Sequence, residues 1–195
     1  MNHDTPLPHS RLRTGVSIAQ TQPWAGDRVK LDSPALAVMT DLTKIKAATV
    51  LPSVPVKEAE WHMVYLGVHM LFVVSEMPAL EGLITSTDIR GERPLRLIQQ
   101  RGVRFDDLTV SDVMTERSHL ETIDFYKVMT ATVSNVIATL KSCGRNHLLV
   151  TDTTSFGAVR ARGVISRSQV ERQIGEPIHL PDVAGNFAEL VKILC

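Results

Sequence analysis

Cysteine is scarce in this chain. Cys143 and Cys195 are the only two in 195 residues. Their wide separation excludes a C-x-x-C redox pair and a disulfide-stapled scaffold, and they read as free thiols of a reducing cytoplasm. Excess charge is missing as well: 21 basic and 21 acidic residues give a formal net charge of zero. General nucleic-acid binding, which needs a basic footprint, is therefore not expected. No apolar run reaches the length of a bilayer span, so no membrane span is expected. Met1 to Ser10 lack the apolar stretch of a secretory signal. The seven histidines form no H-x-x-x-H pair and have no cysteine at metal spacing. There is no G-x-S-x-G elbow and no G-x-x-x-x-G-K-[ST] loop. Glu58, Glu60, Asp106 and Asp107 read as exposed carboxylates, and His147 as a packed or hydrogen-bonded histidine at a strand start. Neither a catalytic constellation nor a metal site stands out, and the chain is not expected to be an enzyme.

What is present is an ordinary globular composition. Apolar residues make up 44% and charged residues 22%, enough for a substantial core in one or two domains. Residues 1–32 show no sustained period and read as an extended arm, partly disordered at its start. Ser33-Pro34 signals a short helix ending near Met39. Val56, Ala59, Met63 and Leu66 are spaced three or four apart, the pattern of one helix face, with Gly67 as the stop. Met70 to Val74 is a continuous apolar strand suited to a sheet covered on both faces. A turn with Pro78 leads to an antiparallel strand at Gly82–Ile84. Thr85 opens a helical segment that Gly91 and Pro94 interrupt, and a helix to Gln100 follows, stopped by Gly102.

The same order returns further on. Asp112-Val113-Met114-Thr115 echoes Val38-Met39-Thr40. A helix over Val133–Lys141, stopped at Gly144, leads to the strand His147–Val150. A long turn over Thr151–Arg162 precedes the strand Gly163–Ile165, and a helix runs from Ser166 to Ile174. Gly82-Leu83-Ile84-Thr85-Ser86-Thr87-Asp88 and Gly163-Val164-Ile165-Ser166-Arg167-Ser168-Gln169 are two copies of one segment. This is an internal repeat. It divides the chain into an arm (1–32), two repeats (33–104 and 105–178) and a tail (179–195) with a short helix.

This ordered pair resembles the CBS-domain pair, or Bateman module. The resemblance rests on the two Met-Thr entries, the strands Leu71-Phe72-Val73-Val74 and His147-Leu148-Leu149-Val150, and the two Gly-apolar-apolar-Thr/Ser segments. It implies an α+β fold of α/β-like repeats: two tandem β-α-β-β-α units packed through their sheets around a pseudo-two-fold axis. It further implies a non-catalytic regulator that binds an adenosine-containing ligand between the repeats and signals to a partner protein. The implied ligands are AMP, ADP, ATP or S-adenosylmethionine, with Mg2+ as an optional companion and no required cofactor. Two modules are expected to associate as a homodimer. The alternative is a ligand-independent dimeric interaction module, with the arm and Leu190, Ile193 and Leu194 of the tail holding partners.

The family's ligand pattern is Gly, apolar, x, Thr/Ser, x, x, Asp, and the first copy matches it. The expected ligand-binding residues are Gly82, Ile84, Thr85, Thr87, Asp88, Arg90, Ser166 and Arg167. One ionised carboxylate can accept from both hydroxyls of a ribose diol, which suits Asp88. A helix N-terminus beside it would face phosphate. Arg90, Arg93, Arg145, Arg160, Arg162 and Arg167 lie near the motifs in sequence, and Arg90 and Arg167 are the preferred phosphate contacts. In the second copy Gln169 replaces Asp. Ser166 and Gln169 spell S-x-x-Q, so a capping box is the favoured reading there. Thr85 and Asp88 could equally be a plain helix cap.

Overall fold

The computed structural model describes residues 28–180. Most of the arm, the tail helix expected at 184–195 and Cys195 lie outside the described residues.

A single turn of 3-10 helix at Ala35–Val38 follows Pro34, and the chain then extends as β1 (Met39–Asp41). The short helix expected up to Met39 thus ends one residue earlier, in a strand. Next come β2 (Thr49–Val50), α1 (Val56–Leu66), β3 (Met70–Val73) and β4 (Gly82–Thr85). Two helices close the first half, α2 (Ser86–Arg90) and α3 (Glu92–Arg101), parted at Gly91. The second half contains α4 (Val110–Val113), β5 (Thr115–Glu116), β6 (Thr122–Asp124) and α5 (Phe125–Thr130). It is completed by α6 (Val133–Cys143), β7 (His147–Thr153), β8 (Val159–Ser166) and α7 (Arg167–Ile174).

The periodic helices form where expected because their apolar stripes find a core. Val56, Ala59 and Met63 are buried from α1, and Val133, Val136 and Leu140 from α6. Both helices end on a left-handed glycine. Gly67 (φ 65°) donates its N–H to the carbonyls of Met63 and Val64, and Gly144 (φ 60°) to those of Leu140 and Lys141. A side chain at either position would strain the backbone.

The strands form two four-stranded sheets, ordered β2-β3-β4-β5 and β1-β8-β7-β6. Each sheet therefore takes its last strand from the other half of the sequence. β1 pairs antiparallel with β8, Met39 opposite Ile165 and Asp41 opposite Gly163. β5 pairs antiparallel with β4, Gly82 opposite Glu116 and Leu83 opposite Thr115. This exchange explains why the glycine and the Met-Thr pair recur together. A Cβ on Gly82 would lie 2.4 Å from the Thr115 carbonyl oxygen. One on Gly163 would lie 2.7 Å from the Met39 sulfur and 2.9 Å from the Thr40 carbonyl oxygen.

Three clusters hold the molecule together. Leu71, Val73 and Ile84 pack under α1 with Val110, Val113 and Met114. Leu148, Val150 and Ile165 pack under α6 with Ala35, Val38 and Val128. The alternate strand residues Met70, Phe72, Leu83, Leu149 and Val164 meet between the two sheets. Since successive strand side chains point to opposite faces, Met70–Val73 must be apolar throughout to serve two clusters at once. Each fully buried Leu or Ile contributes roughly 1.5–3 kcal/mol.

The repeats cut from the sequence at 33–104 and 105–178 are thus laced together: Leu108, Val110, Val113 and Met114 lie in the first core, and Ala35 and Val38 in the second. One expectation needs correcting. The turn placed over Thr151–Arg162 shrinks to residues 154–158, because β7 and β8 run on. Arg160 pairs with Asp152 directly across this hairpin, at 2.7 Å. Arg162 pairs with Asp41 on β1 and with Asp152 at 3.4 Å, and its guanidinium lies 4.7 Å from the Phe125 ring centre. Hydrogen bonds from Arg162 and Thr43 hold the Asp41 carboxyl well below the usual carboxylate range.

Candidate functional site

The β4–α2 junction of one lobe faces the turn between α6 and β7 of the other across a cleft of about 510 Å³. Thr85, Thr87, Asp88 and Thr115 line it on the first side; Thr139 and residues Cys143 to His147 line it on the second. His119 to Ile123 close one end, and Met70, Leu83, Leu148 and Leu149 supply apolar surface.

The local fold of the first wall is set by a capping box. Thr85 is the N-cap of α2 and its hydroxyl accepts from the Asp88 N–H at 3.2 Å. Asp88 Oδ2 accepts from the Thr85 N–H at 2.8 Å and from its hydroxyl at 2.7 Å. The carboxylate is thereby held at the cleft edge, and its Oδ1 makes no hydrogen bond among the described residues. The cap reading of Thr85 and Asp88 is what the geometry shows, and it leaves one oxygen available. α2 has only five residues, so its macrodipole adds little of the phosphate attraction expected of a helix N-terminus.

The second wall provides what the first lacks. Asn146 Nδ2 donates to Thr87 Oγ1 at 3.1 Å across the seam. Asn146 Oδ1 is buried and, like Gln173 Oε1, has no hydrogen-bond partner among the described residues. Beside it Arg145 is exposed, and its guanidinium forms no ion pair among the described residues. His147, the next residue, has its pKa pushed down to about 4 by burial, aided by the charges of His69 and Arg167. It is therefore a neutral imidazole at neutral pH, and the cationic group of this wall is Arg145. The arrangement offers a carboxylate oxygen, threonine hydroxyls and one guanidinium around an apolar floor. That set suits a flat, partly apolar molecule carrying hydroxyl donors and an anionic group.

Of the expected residues, Thr85, Thr87 and Asp88 line this cleft together and the other five do not. Gly82 is occupied by the close approach of Thr115. The Ile84 side chain is fully buried in the first core, because it points to the opposite face of β4 from Leu83. Arg90 pairs with Glu60 of α1 at 2.9 Å; two residues beyond Asp88, it sits on another side of the helix. Ser166 lies 2.9 Å from the Ser168 hydroxyl. Arg167 donates to the Ile178 carbonyl at 3.5 Å and sits 3.6 Å from Glu171. The capping box expected of Ser166 and Gln169 does not form: Ser166 makes no side-chain cap, and Gln169 accepts instead from the Thr40 hydroxyl at 3.0 Å. Asn146 and His119 were not signalled by any motif; Thr115 belongs to a Met-Thr entry but was not expected to line a site, and Arg145 was one of six arginines near the motifs. Among the described residues no group of three or more potential metal ligands occurs, and no helix is long and apolar enough to cross a membrane.

No family model and no curated protein matches the sequence. The fold does have solved counterparts. A conserved protein from Pyrococcus horikoshii shares 22% identity over 74% of this chain and 93% of its own, with a TM-score of 0.52. The CBS-domain containing protein ATU1752 from Agrobacterium tumefaciens shares 19% identity over 68% of this chain and 88% of its own, with a TM-score of 0.50. CBSX2, solved in complex with AMP, shares 20% identity over 72% of this chain and 94% of its own, with a TM-score of 0.48. These likenesses concern the fold.

Proposed function

We propose, from the premise that this chain has the fold of a CBS-domain pair, that it is a non-catalytic regulator binding an adenosine-containing ligand in the cleft between its lobes. The observation that carries this reading is the meeting of Thr85, Thr87 and Asp88 from one lobe with Arg145 and Asn146 from the other around one cleft. The carboxylate takes the ribose hydroxyls. Arg145 takes the phosphate of AMP, ADP or ATP or the carboxylate of S-adenosylmethionine. The base lies over Met70, Leu83 and Leu149. A ligand touching both lobes favours whichever arrangement brings the two walls closest, and a partner protein reads that preference.

Calorimetric titration with AMP, ADP, ATP and S-adenosylmethionine, each with and without magnesium, tests this. Binding of at least one is expected, with Asp88→Ala weakening it about tenfold or more, the worth of losing charged hydrogen bonds. No heat and no thermal shift with any of the four sinks the reading; affinity untouched by Asp88→Ala sinks the site.

A second reading, a dimeric interaction module that needs no ligand, is favoured by the outward face of α1. There Trp61 is 68% exposed, Tyr65 86% and Val64 63%. Apolar side chains grouped on one exposed helix face mark an association surface, here assigned to a second copy of the chain. Both readings hold together if the dimer is permanent and the ligand acts within each chain.

A further inference from the structure

We propose that Gln169 occupies the second, pseudo-symmetric cleft with its own side chain and so restricts the chain to one ligand, bound at Asp88. The stoichiometry rests on the function proposed above; the closure of the second cleft does not.

The two lobes can be compared position by position. The β8–α7 junction corresponds to β4–α2, and β1 to β5, so Gln169 stands for Asp88 and Thr40 for Thr115. In the first lobe the short Asp88 side chain folds back onto its own N-cap. Thr115 lines the open cleft, and its hydroxyl makes no hydrogen bond among the described residues. In the second lobe the side chain is one methylene longer and does not fold back. It reaches over to β1 and takes the Thr40 hydroxyl at 3.0 Å. Gln169 is only 8% exposed and is the one polar residue among the buried residues described.

The opposite wall has changed to match. Where the turn before β7 offers Arg145 and Asn146, the turn before β3 offers Val68 and His69. Val68 is partly buried against the first core. The free carboxylate oxygen and the guanidinium of the first cleft thus both lack counterparts in the second. To seat there, a ligand would have to break a partly buried hydrogen bond, and would leave the hydroxyl and the amide unpaired unless it replaced both.

Native mass spectrometry and calorimetry with AMP as the probe count the sites. One AMP per chain is expected, bound about tenfold or more weakly by Asp88→Ala and with unchanged affinity by Gln169→Leu. Two AMP per chain, or an affinity untouched by Asp88→Ala, overturns the proposal. A nucleotide-free measurement decides closure independently: thermal melts of Thr40→Val, Gln169→Leu and the double variant. The double variant is expected to lose no more in Tm than the worse single one, because both remove the same bond. Additive losses overturn the closure. If AMP, ADP, ATP and S-adenosylmethionine all fail to bind the wild-type chain, the functional reading falls, and the melts still decide whether Gln169 closes the second cleft.

Discussion

From α1 the first lobe turns Val56, Ala59 and Met63 inward; from α6 the second turns in Val133, Val136 and Leu140, at matching positions. Leu71 and Val73 on β3 likewise match Leu148 and Val150 on β7, and Ile84 matches Ile165. On the outside the same two helices diverge. Where α1 presents Trp61, Val64 and Tyr65, α6 presents Ala138, Lys141 and Ser142. The cleft positions diverge too, Asp88 against Gln169 and Arg145-Asn146 against Val68-His69. Close packing leaves little freedom to the core positions of a shared fold, since lost methylenes leave cavities. The other positions are not demanded by the fold, and their differences are where recognition is to be sought.

Four measurements would break or sharpen this comparison. The largest effect is expected in the cores. Leu71→Ala and Leu148→Ala should each cost about 2–5 kcal/mol in denaturant unfolding. Both should unfold in one transition, because the inter-sheet cluster and the exchanged strands couple the lobes. Two separated transitions would show that the lobes stand alone.

The second prediction concerns acid. His147 has a folded pKa of about 4 against an ordinary 6.5, and the matching position in the first lobe is Met70. Above pH 6.5 the imidazole is neutral in both folded and unfolded chains and stability does not depend on it. Between 6.5 and about 4 the unfolded chain takes up a proton that the folded chain refuses. Stability then falls with falling pH, by at most about 1.4 kcal/mol per unit from this group. Urea midpoints measured from pH 7 to pH 4 should fall less steeply in His147→Met. An unchanged slope would mean His147 is protonated in the folded state.

The third compares the two glycines. Gly82→Ala should cost about 1–3 kcal/mol, since its Cβ meets the Thr115 backbone oxygen within the β4–β5 pair. Gly163→Ala should cost less, because its Cβ meets backbone only at 2.9 Å from the Thr40 oxygen and its nearer obstacle is the flexible Met39 side chain. Equal losses would show that β1 is as rigidly held as β5.

The smallest effect on stability is expected at the surface. Trp61→Ala gives α1 the residue that α6 carries at Ala138 and should change monomer stability by less than about 0.5 kcal/mol. If α1 joins two copies, sedimentation should show weakened dimerisation all the same. A dimer unaffected by the substitution would remove α1 from the interface.

Local signals made much of this fold readable. The bounds of α1 follow from its apolar spacing and Gly67, and β3 from an unbroken apolar run. The strands of two or three residues, β1, β2, β5 and β6, carry no period of their own and exist because a partner strand lies alongside. The outer half of the β7–β8 hairpin reads as a polar loop, since Asp152, Arg160 and Arg162 satisfy one another only once the strands pair. The cleft was half readable. Thr85, Thr87 and Asp88 belong to one short segment. Their counterparts Arg145 and Asn146 come from a turn some sixty residues away, which no spacing rule reaches. Arg90 was the natural choice by proximity in sequence, yet helix phase carries it to Glu60 instead.

The sequence by itself determined the repeat, the inward faces of its helices and strands, and the capping geometry at Thr85 and Asp88. Each of these depends on residues within a few positions of one another. The tertiary structure alone decided that each sheet borrows its last strand from the other half, and that Arg145 and Asn146 face Asp88. It also decided that Gln169 reaches Thr40 rather than capping its own helix. Those outcomes depend on which surfaces meet when two similar lobes pack face to face, and that choice is made by long-range burial rather than by neighbours along the chain.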